Sequence, residues 1–118
     1  MRYRLLGLLL LAACLSQPSW AQINPFRGSG RTPLNADDIA ALTDATNRLL
    51  DSPQLVAGAS EAWSNPKSGA SGTVAAGNTA QRKGMACRIV RYQTTVPGSP
   101  PRSATLTWCK TANGWKIG

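Results

Sequence analysis

Residues 36–118 predict a small α+β domain: one N-terminal helix packed on an antiparallel meander of four to five strands, closed by one disulfide. Two observations carry this. Apolar residues recur at helical spacing up to about residue 50 and at period two afterwards, where Gly, Pro and Asn clusters punctuate the chain. A single cysteine pair, Cys87 and Cys109, falls within the two segments richest in β-branched and aromatic residues.

Residues 1–21 read as a signal peptide. Arg2 and Arg4 make a cationic start, Leu5 to Leu15 is an almost unbroken apolar run, and Pro18 to Ala21 brings a turn and small residues to a cleavage point. A membrane-spanning helix needs about 20 apolar residues, roughly twice what this run offers, so the leader is expected to be processed. Two sites compete. Ser19-Trp20-Ala21 before Gln22 suits a peptidase that releases a soluble chain, and Leu11-Ala12-Ala13-Cys14 matches a lipobox, which would make Cys14 the acylated first residue. Both place the product outside the cytoplasm, periplasmic or outer-membrane-associated, and both leave Cys87 and Cys109 as a lone pair. In an oxidising compartment a disulfide is the default for such a pair. With no histidine in the chain, two cysteines cannot complete a zinc site by the usual ligand sets, and no Cys-x-x-Cys redox motif is present.

Residues 22–35 hold two prolines and two glycines without periodicity and read as a flexible lead-in. Asn35 suits a helix cap, with Asp37 and Asp38 in the first turn where the dipole favours anions. Ile39, Leu42, Ala45 and Leu49, with Leu50 beside them, form one apolar stripe ending near Asp51-Ser52-Pro53. Its flanks are acidic, which favours a face packed on a sheet over a membrane-surface helix. Ala62-Trp63-Ser64 reads as a short strand, 65–69 as a turn, and Ser71 to Ala76 as a strand ending at Gly77-Asn78. Residues 85–96 and 103–109 are the clearest strands. A last strand holds Trp115 and Ile117 after the Asn113-Gly114 turn.

The cysteines also predict a register. A hairpin turning at Pro97-Gly98-Ser99-Pro100 places Cys87 opposite Cys109, close enough for a disulfide in a non-hydrogen-bonded pair. The same register sets Val90 opposite Leu106, Tyr92 opposite Ala104 and Arg88 opposite Trp108. That makes an apolar face for the helix, with a cation over an indole at its rim.

Trp63, Asn65, Gly69, Gly72, Cys87-Arg88, Cys109-Lys110, Gly114 and Trp115 follow one another in a pattern that resembles the C-terminal domain of the seventeen-kilodalton surface-antigen family of Gram-negative envelopes. The resemblance covers residues 62–118, about half the chain. It implies an outer-membrane or surface location and a structural or antigenic role, with no catalytic chemistry. The chain departs from the family where Asn113-Gly114 runs straight into Trp115. It also lacks the glycine-zipper segment of many relatives, so no membrane role of that segment carries over.

Charge points the same way. Thirteen Lys and Arg, less Arg2 and Arg4 of the leader, leave eleven against five acids. All five acids (Asp37, Asp38, Asp44, Asp51, Glu61) precede residue 62, and eight cations follow it: Lys67, Arg82, Lys83, Arg88, Arg91, Arg102, Lys110 and Lys116. Part of the surplus serves solubility. Beyond that it should draw anionic envelope components: lipopolysaccharide phosphates, phospholipid headgroups or peptidoglycan carboxylates. Nucleic acid is not expected, because Trp63, Trp108 and Trp115 fit a sheet core better than a base-stacking platform. Nor is an enzyme or a cofactor. The chain has no histidine and no Asp or Glu after Glu61, so paired acids and the usual nucleophile–base sets are missing from the sheet strands. A serine activated by Lys67 or Lys83 is the one enzymatic arrangement left. The principal alternative to envelope binding is a secreted or periplasmic inhibitor or ligand-binding module that docks an acidic partner through Asn65–Gly72 or Pro97–Pro101.

Overall fold

The computed structural model describes residues 24–26 and 34–118. The leader, its two processing sites including Cys14, and most of the lead-in lie outside the described residues. Helix α1 spans Ala36–Leu50, followed by β1 Ser60–Asn65, β2 Ala70–Arg82, β3 Met85–Thr95, β4 Arg102–Thr111 and β5 Gly114–Ile117. Each strand pairs antiparallel with the next, in the order β1-β2-β3-β4-β5. Helix, five-stranded meander and Cys87–Cys109 disulfide together give the expected α+β class.

Local chemistry fixes the helix. The Asn35 side chain accepts from the Asp38 N–H at 2.8 Å, and the Asp38 carboxylate accepts from the Asn35 N–H at 3.0 Å. This reciprocal capping box satisfies two donors that a helix start otherwise leaves bare. Leu42, Ala45, Leu49 and Leu50 are buried, while Ile39 is only partly so. The helix packs mainly against β1 and β2 and reaches Tyr92 of β3 through Thr46.

Alternation then sorts the sheet. Trp63, Ala70, Val74, Ala76, Val90, Tyr92, Thr94 and Trp108 are buried on the helix side. Trp63 faces Gly72 across β1 and β2, and a Cβ there would come within 2.7 Å of the indole nitrogen. The glycine is thus the seat of the tryptophan ring. Every predicted β3–β4 pair is observed: Cys87 with Cys109, Arg88 with Trp108, Val90 with Leu106, Tyr92 with Ala104. Strand β2 does not stop at Gly77-Asn78. A bulge between Ala76 and Thr79 absorbs one residue, and pairing with β3 continues to Arg82. Lys83 and Gly84, both at positive φ (51° and 75°), then turn the chain as a two-residue hairpin demands. Phe26, from the expected lead-in, is buried and belongs to the core with Leu34.

Tyr92 ties three elements together. Its hydroxyl lies 3.2 Å from Thr46 Oγ1 and accepts from Trp108 Nε1 at 3.1 Å, with all three side chains buried. Thr46 Oγ1 also lies 2.9 Å from the Leu42 carbonyl one turn back in the helix. Burial raises the Tyr92 pKa above 10.0 and outweighs the two hydrogen bonds, so the phenol stays neutral. Tyr92→Phe leaves the Trp108 N–H unpaired in the core. It is expected to cost about 1–3 kcal/mol in thermal denaturation, and an unchanged midpoint would mean that the triad contributes nothing.

Candidate functional site

The eight cations do not form one patch. By strand alternation, Arg82, Arg91 and Lys116 lie on the sheet face turned away from the helix, where the exposed neighbours are polar: Thr73, Gln93, Thr95, Ser103 and Thr105. Lys83 stands in the β2–β3 turn beside Arg82, and Lys116 of β5 pairs directly with Cys109 of β4. Arg82, Lys83 and Lys116 therefore gather at one end of the sheet, with Arg91 near its centre. Arg82 also donates to the Gly118 carbonyl at 3.3 Å.

The remaining cations are placed differently. Arg88 is on the helix side, half-buried, and donates to the carbonyls of Gly77 at 3.0 Å and Leu55 at 3.2 Å. It clamps the β2 bulge to the segment after the helix, so its guanidinium is already occupied. The expected cation over the Trp108 indole is corrected accordingly: the register holds, but the Arg88 guanidinium is engaged by these carbonyls. The ring contact by a cation is made instead by Lys110, whose Nζ lies 6.0 Å from the Trp115 centroid. Arg102 is half-buried at the start of β4, opposite Thr94, and Lys67 is exposed in the β1–β2 turn.

That turn meets the β3–β4 loop. Gly69 has φ 77°, and a Cβ on it would come 2.9 Å from the Pro97 ring, so the two loops singled out in the sequence touch at one end of the sheet. The turn is held from below by Asp38, a residue sequence reasoning placed only in the helix dipole. Asp38 is 1 % exposed and accepts from Asn65 Nδ2 at 2.7 Å and Ser68 Oγ at 2.6 Å as well as from the Asn35 backbone. Burial works to raise its pKa, but the bonds from Ser68, Asn35 and Asn65 prevail, and the carboxyl is held below its ordinary 3.8.

Beside the loops, Phe26, Leu34, Thr94, Val96, Ser99, Pro100 and Arg102 line a cavity of about 10 Å³. It is about the size of one water and far below the 300 Å³ or more of ligand pockets. Among the described residues no group of three or more Asp, Glu, Cys or His could hold a metal ion, and no helix is long and apolar enough to cross a membrane. Set beside known protein families, curated proteins and solved structures, the chain matches none.

Proposed function

We propose that this is a non-catalytic cell-envelope protein of surface-antigen type that contacts anionic envelope components through the basic outer side of its sheet. The observation that supports it most is the separation of charge. From residue 62 onward the chain carries eight cations and no carboxylate, and Arg82, Lys83, Arg91 and Lys116 are exposed on or beside the polar outer face. The anions this face would meet are lipopolysaccharide phosphates, phospholipid headgroups or peptidoglycan carboxylates, in the periplasm or at the outer membrane. The disulfide is consistent with that address. The reading calls for no cofactor.

Arg82→Gln combined with Lys83→Asn tests it, since asparagine tolerates the left-handed backbone at position 83. Retention on vesicles containing anionic phospholipid is expected to fall by about half and to weaken as salt shortens the Debye length below about 10 Å. Unchanged retention, or binding indifferent to salt, counts against the proposal.

One observation favours the loop-docking alternative. Asn65–Gly72 and Pro97–Pro101 meet through Gly69 and Pro97 on a base rigidified by Asp38, as a binding loop requires. That module would give a one-to-one complex that tolerates salt.

A further inference from the structure

Strand β5 covers only part of its neighbour. It pairs with β4 from Trp108 to Thr111, and the Gly118 N–H extends the contact to the Thr107 carbonyl at 2.9 Å. Among the described residues, no strand pairs with Ser103–Leu106 on that side. The direction of the free groups follows from two facts. The Thr107 carbonyl points toward β5, and Cys109, of the same parity, is joined to Cys87 across a Cα separation of 3.9 Å, the close approach of a non-hydrogen-bonded pair. Ser103 and Thr105 share that parity, so their N–H and C=O groups point away from β3 into the open edge.

The other edge of the sheet is treated differently. On β1, Arg48 donates to the outward carbonyl of Ala62 at 3.2 Å and pairs with Glu61 at 3.5 Å, blunting the edge as sheet proteins commonly do. Along Ser103–Leu106 there is no proline, lysine or bulge to discourage a further strand. Leu106 and Ala104 on the helix side are only partly buried, and Ile117 nearby is 52 % exposed. On the outer face Thr105 lies opposite Arg91, one strand spacing of about 4.8 Å further in. Arg102 and Lys110 flank the stretch, and no Asp or Glu follows Glu61 in the sequence.

We infer that the Ser103–Leu106 edge of β4 is a strand-addition site for an extended peptide segment whose residues alternate between apolar and acidic. Main-chain bonds to Ser103 and Thr105 supply affinity. Apolar side chains of the added strand fall beside Ala104 and Leu106, and its carboxylates fall on the outer face within reach of Arg91. A second copy of this chain fits less well, because it would bring two cationic sheets edge to edge. This site shares Arg91 with the proposed envelope-binding face, but its main-chain groups do not depend on that reading, and neither Arg82 nor Lys83 lies on the edge.

The test is fluorescence anisotropy with a short labelled peptide of alternating valine and glutamate, added to the mature chain with its disulfide intact. Saturable one-to-one binding is expected. Thr105→Pro removes an outward N–H that the β3–β4 ladder does not use and places the ring in the edge, where proline is tolerated. It should weaken binding at least about tenfold, the scale of one or two lost main-chain bonds. Should that variant fail to fold, the same peptide N-methylated at alternate residues, offered to the unaltered protein, must show the same loss. The site is overturned if the valine–glutamate peptide does not bind, if a valine–lysine peptide binds equally, or if neither blockade weakens the complex. Sedimentation showing a dimer that Thr105→Pro dissolves would assign the edge to a second copy and overturn the acidic partner.

Discussion

Replacing Cys87 and Cys109 together by alanine is expected to remove about 3 kcal/mol of stability. The two residues are 22 apart in sequence, and closing a loop of that length costs the unfolded chain about 3 kcal/mol of entropy in the chain-entropy treatment. A domain of this size has only about 4–12 kcal/mol in total. Alanine is the right probe because both sulfurs are buried, and serine would add the separate cost of two buried hydroxyls. The expected reading is a urea midpoint lowered by roughly 1–3 M at an m-value typical of small domains. A loss below about 1 kcal/mol would mean that the Pro97–Pro100 turn already confines the unfolded hairpin, leaving the bond little to add. The register is also at stake. A slip of one residue would turn Arg91 from the outer face to the core and Val90 outward, exchanging the cationic surface for an apolar one.

What could be seen in the sequence was whatever local chemistry or a covalent constraint decides. The helix begins at Ala36 because Asn35 caps it, and it ends at Leu50, where the apolar stripe gives way to Asp51-Ser52-Pro53. The β3–β4 register was legible because two sulfurs must meet across a hairpin. The continuation of β2 was not: Gly77-Asn78 is a turn signal in isolation, and only pairing with β3 turns it into a bulge. Phe26 sits among prolines and glycines with no periodicity to mark it, so its burial is a tertiary fact. The candidate surface was legible as a sum of charges but not as a geometry. Composition cannot tell that Arg88 is engaged by two carbonyls while Arg91 is exposed on the outer face. The spacing that resembles the surface-antigen pattern has physical reasons here for two members, since Gly72 seats Trp63 and Asn65 donates to Asp38. Nothing in the sequence announced Asp38 as the acceptor of Asn65 and Ser68, which lie 27 and 30 residues away.

Asp38→Ala is expected to be the most damaging single substitution of a polar residue, at about 3–4 kcal/mol. It deletes the N3 acceptor of the capping box and leaves Asn65 and Ser68 without the charged acceptor for which they are buried or half-buried. Bonds to charged groups contribute about 1.5–3 kcal/mol each, and the three share one carboxylate, so their sum is less than additive. Asp38→Asn keeps shape and one acceptor oxygen and should cost less, and it separates the role of charge from that of packing. The separation shows in acid. The folded pKa lies below the unfolded 3.8, so the stabilisation is fully present above the unfolded value and is lost as pH falls through the folded one. Urea midpoints of the wild type measured from pH 6 downward should therefore drop more steeply than those of Asp38→Asn, and the two curves should converge at the acid end. Parallel curves would show that the carboxylate is not held ionised by its three donors, and that the β1–β2 turn carrying Lys67 does not depend on its charge.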